Sequence, residues 1–522
     1  MARSRFGAAI AAVLATLTLA ALYVIAAYRF PFHGFWHDDG LYVQLGQSLA
    51  EGAYRLAQLP GEPVQARYPP LLPALLALVV AAGGDPRTAF WPFCVPGALA
   101  AAFGALLWYR FLCRHEATAP ARALACVAAA ALSPLAFLLC GCVMAEPLLV
   151  LLLPASLLVL GEGDDPRRAA LAGVGFGLAM LAKQAALPPW AGAACGLLLV
   201  GQRRSAAGFI AGGLVCVLPW WTWAAVTCAF QPGGDVSSAI AYYVRYEHVM
   251  PQSAADLAAI VPARAADLAV ACAAPLGGAL LLPQWSPSLG DVARVVPALL
   301  AIAFVIGLAR RLGGGVTPAR AALLGSVGMM LLYPYATWRF LMPWTPLVVL
   351  LIADVLVGAG RWRAIGLVCF ASANLAPAAA LALHLGGDER AHLWRETLDV
   401  APHRELARFV RDALPRDAVL ACDYDPYYFV ATGRRAVMIA DFDPRELLRG
   451  AGAATGNALS CLRDHARLGV THVLTNPRLE GPVARWLDEW ERDGILCEVH
   501  RAHRAGYRVL AVQQCARAKA SR

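Results

Sequence analysis

Residues 6–42 read FGAAIAAVLATLTLAALYVIAAYRFPFHGFWHDDGLY, and two features of this stretch decide the fold. The first is an unbroken apolar run, Phe6 to Tyr28, preceded by Arg3 and Arg5. Crossing the hydrocarbon core of a bilayer takes ~20 apolar residues at 1.5 Å rise each, and this run is long enough. It exceeds the apolar core of a secretory leader, lacks a clear small-residue cleavage site and leads into further apolar runs, so it reads as a membrane helix. The second feature is the adjacent pair Asp38-Asp39, set a few residues beyond that helix.

The remainder of the chain repeats the first feature. Of 522 residues, 59% are hydrophobic and 15% charged, with a mean hydropathy of +0.56, so a bilayer is the implied solvent. The net charge of +9 is not a nucleic-acid signal, because the excess lies in short Arg clusters between apolar runs and not in a patch interleaved with aromatics. Arg and Lys mark cytoplasmic helix ends. Clusters at Arg3/Arg5, Arg110/Arg114/Arg122, Arg167/Arg168, Arg203/Arg204, Arg310/Arg311/Arg320 and Arg361/Arg363 therefore each predict a cytoplasmic turn. Crossing out and back between them predicts eleven transmembrane helices, at 6–28, 88–110, 121–138, 147–160, 169–182, 186–201, 208–229, 293–309, 319–333, 340–358 and 364–385. The N-terminus is then cytoplasmic and the C-terminal part extracytoplasmic. Lysine is nearly absent (Lys183 and Lys519 only) while Ala and Arg abound, a bias of GC-rich bacterial genomes that carries no functional weight; the membrane expected is the bacterial inner (plasma) membrane.

This topology divides the chain into a transmembrane domain, 1–385, and an extracytoplasmic domain, 386–522. Two long connections of the first, 29–87 and 231–292, fall outside. Leu71 to Ala82 is too short to span and follows Pro69-Pro70, which predicts an interfacial helix; Leu268 to Leu282 is a second such stretch. In the C-terminal part, helical periodicity at 403–414, 458–468 and 482–492 alternates with strand patterns at 418–422, 436–440, 471–475 and 507–512, predicting a small α/β domain. The fourteen cysteines show no CxxC pair or Cys/His zinc spacing. Cys422, Cys461, Cys497 and Cys515 lie in the polar part, where either disulfides or buried thiols fit.

Adjacent carboxylates repel and need a cation or hydroxyl-bearing ligand to hold them at one site. Asp38-Asp39 can deprotonate an acceptor or hold a metal; a solvated turn or helix cap is the alternative. Lys183 and Arg339 are either snorkelling residues or the cations that a phosphate leaving group requires. These two are the cations that the topology sets between paired outer helix ends. Glu146 opens a helix, where the helix dipole favours an acid. His248 fits a structural histidine as well as a ligand.

The first outer loop resembles that of the GT-C glycosyltransferases, the superfamily of the protein O-mannosyltransferases and the lipid A aminoarabinose transferases. Those carry an acidic pair followed by Tyr, a Gly-containing turn and a Pro-Pro segment. Here these are Asp38-Asp39 with Tyr42, Glu51-Gly52, and Tyr68-Pro69-Pro70. Tyr246-Glu247-His248 is similar to their Glu-His element, Trp338-Arg339-Phe340-Leu341-Met342-Pro343 to their Arg-containing entry helix, and 173–183, GVGFGLAMLAK, to their Gly-rich helix ending in Lys. An acidic residue is also common in the family at the position of Glu146.

The resemblance implies a membrane glycosyltransferase with Asp38 as catalytic base and Asp39 its partner. It implies a site formed with Tyr42, Tyr68, Glu146, Lys183, Glu247, His248 and Arg339, and a polyprenyl-phosphate sugar donor whose phosphate faces Arg339. The acceptor is a glycan, lipid or protein. A divalent metal held through His248 is an option, but the aminoarabinose transferases place an acidic metal ligand where this chain has Arg67-Tyr68, with Glu62 near but offset. Two rival readings remain: a lipid-linked glycan ligase or polymerase of different helical fold, and a transporter or flippase. The second requires ionisable residues in mid-span and repeat symmetry; the predicted spans carry their charges at the ends, with Asp354 the main exception.

Overall fold

The computed structural model describes residues 2–29, 33–161, 163–230, 243, 253–276, 292–333, 338–356, 390–393, 396–439, 441–442, 454–455, 458–477, 479, 482–504 and 506–513. The first apolar run is α1 (Ala2–Arg29). The loop after it, predicted to lie outside, folds into α2 (Asp38–Ala50) and α3 (Leu71–Ala81), the latter at the predicted interfacial stretch. Then come α4 (Val95–His115), α5 (Pro120–Ala131), α6 (Pro134–Gly141), α7 (Glu146–Leu160), α8 (Pro166–Ala182), α9 (Leu187–Leu199) and α10 (Arg203–Phe230). The bundle continues with α11 (Ala254–Ala273), α12 (Val292–Gly313), α13 (Pro318–Leu332) and α14 (Thr345–Leu356), a 3-10 segment (Trp338–Trp344) leading into the last.

Helix starts are written locally. Pro stands in the first turn of α5 to α9 and α13, where its missing N–H costs nothing. Asp165 caps α8 by accepting from the Arg167 and Arg168 amides at 3.0 and 3.3 Å, and Thr317 caps α13 through Arg320 N–H at 3.3 Å.

A helix occupies each predicted span except 364–385, which lies outside the described residues. Five of these helices are long and apolar enough to cross a membrane, and six if α5 and α6, bent by 52°, form one broken span. The second loop predicted to lie outside departs from expectation. Its helix, α11, begins well before Leu268, because Arg264 and Asp267 interrupt the apolar pattern and yet pair at 2.5 Å (Nη1 to Oδ2) one turn apart.

Small residues set the helix spacing. A Cβ on Gly173 of α8 would stand 2.0 Å from the Phe209 carbonyl oxygen, and one on Gly212 of α10 2.0 Å from that of Ala170, so these helices touch backbone to backbone. The Gly-rich run before Lys183 is thus a packing surface that fixes where α8 ends.

At one end of the bundle Glu116 accepts from Arg311 Nη1 at 3.2 Å and Arg320 Nη2 at 2.9 Å. Asp354 pairs there with Arg122 and with Arg311 Nη2 (2.7 Å). Asp354, the exception among the span charges, is therefore neutralised by arginines of the predicted cytoplasmic turns. Arg339 lies fifteen residues earlier on the same helical segment, roughly 22 Å away at helical rise, so the two charged clusters sit at opposite ends.

The C-terminal part opens with the hairpin β1 (Arg390–Leu393) and β2 (Glu396–Asp399), followed by α15 (Val400–Ala413), β3 (Val419–Cys422), α16 (Asp425–Thr432), β4 (Arg435–Met438), the short ladder β5 (Asp441–Phe442) with β6 (Ala454–Thr455), α17 (Ala458–Arg467), β7 (His472–Thr475), α18 (Pro482–Arg492), β8 (Leu496–Arg501) and β9 (Arg508–Val512). Five strands form one mixed sheet in the order β4-β3-β7-β9-β8, with β3 parallel to β4 and β7, and β9 antiparallel to β7 and β8. Helix α15 buries His403, Leu406, Ala407 and Val410 and exposes Arg404, Arg408 and Arg411, the amphipathic spacing read from its sequence. Helix α16 was not legible beforehand: DPYYFVAT is short and aromatic, and Gly433 at φ 70° ends it. No disulfide joins Cys422, Cys461 and Cys497 among the described residues.

Helix α16 packs on the segment that carries the acidic pair. A Cβ on Gly40 of α2 would lie 2.7 Å from Pro426 Cβ, and one on Gly34 3.1 Å from the Tyr427 ring. The ring of Phe35 stacks on Tyr427 at 4.1 Å. The loop bearing the acidic pair is thereby clamped between the bundle and the C-terminal domain.

Candidate active site

The two adjacent carboxylates have different surroundings. Asp39 is fully buried, with Oδ1 accepting from the Trp36 and Gly40 amides at 3.1 and 2.8 Å and Oδ2 from the Gly34 amide at 2.7 Å. It closes the turn 34–40 on itself. Burial pushes its pKa up to about 7, helped by the charge of Asp38 and opposed by the three amides. Asp38 points the other way. Its Oδ1 accepts from the Tyr68 hydroxyl at 2.8 Å and its Oδ2 from Arg339 Nη2 at 2.5 Å. Burial favours the neutral acid, but Arg339, Lys183 and the Tyr68 hydrogen bond outweigh it and hold the Asp38 carboxyl well below the usual carboxylate range. His37, immediately before, sits at φ 58°, ψ −62°, a conformation that a non-glycine residue keeps only when its surroundings impose it.

Around Asp38 the charges alternate. Arg339 Nε lies 3.3 Å from Glu146 Oε1, and the same oxygen accepts from Lys183 Nζ at 2.6 Å. Glu146 is fully buried at the start of α7, so its carboxylate holds both cations beside Asp38. Lys183 Nζ and the Arg339 guanidinium lie 4.9 and 5.8 Å from the Phe340 ring centre. Tyr42 is buried behind Tyr68, their rings edge to face at 5.4 Å, and the Tyr54 hydroxyl donates to the Tyr68 carbonyl at 2.8 Å. Asp38, Tyr42, Tyr68, Glu146, Lys183 and Arg339, drawn from five separate stretches of chain, thus converge at one point. Glu247 and His248 lie outside the described residues.

A second polar network lies directly behind the pair. The His37 ring stacks on Tyr243 at 5.1 Å and 4°, with Nε2 2.7 Å from the Tyr243 hydroxyl, which donates to Asp425 Oδ2. Gln58 Nε2 donates to the same oxygen at 3.0 Å, and Gln44 Nε2 donates to Gln58 Oε1 at 2.7 Å. Asp425 is fully buried at the start of α16, and burial drives its carboxyl well above the usual range. Burial also pushes His37 down to about 4. None of these residues was singled out from sequence. The one signal was an acid, Asp425, among the aromatics of Tyr424, Tyr427 and Tyr428, a composition that predicts a buried and therefore partnered carboxyl.

Among the described residues the carboxylates already have other partners. Asp38 faces two cations, Asp39 is enclosed by amides, and Glu62 pairs with Arg55 and Arg435, each at 2.8 Å. No group of three His, Cys, Asp or Glu side chains gathers among the described residues.

Comparison with family models and with curated proteins finds no match. Among solved structures the chain is similar to ArnT from Cupriavidus metallidurans bound to undecaprenyl phosphate, with TM-score 0.51 and 15% identity over 98% of this chain and 99% of that one. It is also similar to the Archaeoglobus fulgidus oligosaccharyltransferase tethered with an acceptor peptide, at TM-score 0.53 and 13% identity over 96% and 74%. A further match is the archaeal oligosaccharyltransferase AglB from Archaeoglobus fulgidus with an inhibitory peptide and a dolichol-phosphate, at TM-score 0.51 and 12% identity over 96% and 74%. The A. fulgidus oligosaccharyltransferase in complex with Zn and sulfate matches at TM-score 0.52 and 14% identity over 88% and 67%. At these identities the likeness is one of fold.

Proposed function

We propose that this protein transfers a sugar from a polyprenyl-phosphate donor to an acceptor hydroxyl on the extracytoplasmic face of the bacterial inner membrane, with inversion at the anomeric carbon. The observation that carries the reading is the contact of Asp38 with Arg339 inside a cluster of two carboxylates and two cations. The bundle crosses the membrane eleven times in this reading, the Glu116/Asp354 arginine cluster marks the cytoplasmic end, and the C-terminal domain lies outside. The structures bound to undecaprenyl phosphate and to a dolichol-phosphate support a lipid phosphate as the donor's leaving group.

In the resting site Arg339 is shared by Asp38 and Glu146. An incoming donor phosphate competes for that guanidinium and for Lys183. As Arg339 turns to the phosphate, Asp38 loses its strongest counter-charge, its proton affinity rises, and it becomes a base only when donor is present. The acceptor oxygen then attacks the anomeric carbon from the face opposite the phosphate and its proton passes to Asp38. The bond from carbon to phosphate oxygen breaks with its electron pair on the phosphate, where Arg339 and Lys183 meet the developing charge. Glu146 holds both cations in place, and Asp39 holds the turn that aims Asp38.

Donor binding to Arg339 variants tests the assignment. Arg339→Lys keeps the charge without the planar fork and should weaken binding of a synthetic polyprenyl-phosphate sugar about tenfold, while Arg339→Ala should abolish it. Unimpaired donor binding in both variants removes the phosphate from this site.

A further inference from the structure

A separate cleft of about 770 Å³ opens between the first outer loop and the C-terminal domain. This is within the roughly 300–1,000 Å³ of small-ligand sites, yet its lining is strongly basic. Arg404, Arg408 and Arg411 reach it from successive turns of α15, and Arg87 reaches it from the loop after α3. All four are exposed. Arg411 is partly engaged by Asp412 (Nε to Oδ1, 2.9 Å) and Arg87 Nε lies 3.7 Å from Asp85 Oδ1. The one acid in the lining, Glu405, is already held: His503 contacts it through the ring and donates its backbone N–H at 3.2 Å, and His500 lies 4.0 Å away. The cleft therefore offers arginine forks to an anion without an opposing free carboxylate.

The other walls are aromatic. Phe90 and His33 stack on each other at 4.7 Å, and Tyr427 faces the cleft from α16. Flat rings beside arginine forks suit a sugar ring that carries a phosphate or carboxylate. Gly34 also lines the cleft, and its amide is the one that binds Asp39 Oδ2. It lies four positions before Asp38, a reach of at most ~14 Å along the chain. The cleft and the catalytic carboxylate are thus two sides of one turn.

We propose that this cleft binds an anionic sugar of the acceptor, so that the C-terminal domain selects phosphorylated or uronic glycans and delivers their hydroxyl toward Asp38. The proposal rests on the transferase reading for the word acceptor, but the binding itself does not. Full-length protein in neutral detergent is titrated with glucose 6-phosphate, with glucose as the uncharged control, by saturation-transfer NMR. Wild type and Arg339→Gln should both saturate glucose 6-phosphate and not glucose, and Arg404→Gln/Arg408→Gln should weaken it at least tenfold. If the double variant does not fold, Arg408→Gln alone should weaken it severalfold. Binding unchanged in the α15 variants, or lost only in Arg339→Gln, overturns the proposal, since anions then enter the donor site alone. Binding that disappears in phosphatidylglycerol nanodiscs but persists in phosphatidylcholine ones also overturns it, because the cleft is then a lipid-headgroup contact. Arginine-dependent binding in a protein that never releases polyprenyl phosphate would retain the cleft and remove the transferase reading.

Discussion

The acidic pair offers a test in which two neighbouring carboxylates, changed in the same way, should fail for different reasons. In Asp38→Asn the oxygen can keep the Tyr68 hydroxyl, but the new NH2 then meets Arg339 Nη2 donor to donor, which costs about 1–3 kcal/mol. The site still folds around Arg339, which keeps Glu146. The base is gone, however, and general-base assistance contributes roughly 10²- to 10⁴-fold. In Asp39→Asn the oxygen can take the Oδ1 position and keep the Trp36 and Gly40 amides, but the new NH2 then meets the Gly34 N–H donor to donor. One buried donor is left without an acceptor, which costs about 1–3 kcal/mol. Transfer is measured as polyprenyl phosphate released from a synthetic donor. Unfolding is followed by a thiol-reactive dye, which reads exposure of the buried Cys94, Cys126, Cys140 and Cys142. Both variants should melt below wild type; Asp38→Asn should lose transfer by that factor at every temperature, whereas Asp39→Asn should lose less transfer and recover part of it on cooling. Full turnover in Asp38→Asn refutes the assignment of the base. An Asp39→Asn variant that is inactive yet as stable as wild type refutes its role in holding the turn.

Two other expectations follow from the same geometry. Asp38 is held below the usual carboxylate range by Arg339, Lys183 and a hydrogen bond, so the acid limb that it sets in kcat/KM should lie below that range, and a limb near pH 7, set by Asp39, should be absent from Asp39→Asn. A limb near pH 7 that persists in Asp39→Asn would contradict it. Reporter fusions should be cytoplasmic at Gly163 and extracytoplasmic after Gln513; the reverse at either point would place the candidate site on the wrong side of the membrane.

Much of this molecule is legible in the sequence because the signals are local. Apolar run length locates helices, and the alternation after residue 400 locates most of the α/β part. Asp38, Glu146, Lys183 and Arg339 stand out for the same reason, as ionisable side chains at the ends of apolar runs, whereas Tyr68 became a candidate only through the family resemblance. Tertiary structure alone decides their roles. Nothing in Asp-Asp says which carboxylate turns toward the cations, because that depends on the backbone turn whose amides Asp39 collects. Glu146 as the common partner of Lys183 and Arg339, and Asp425 as the buried anchor of Tyr243 and Gln58, are pairings across large sequence separations. Likewise, the basic cleft exists only where α15 and α16 pack on the first outer loop. Hydropathy and periodicity place a residue along its own segment, whereas the charge it finally faces is set by how distant segments pack.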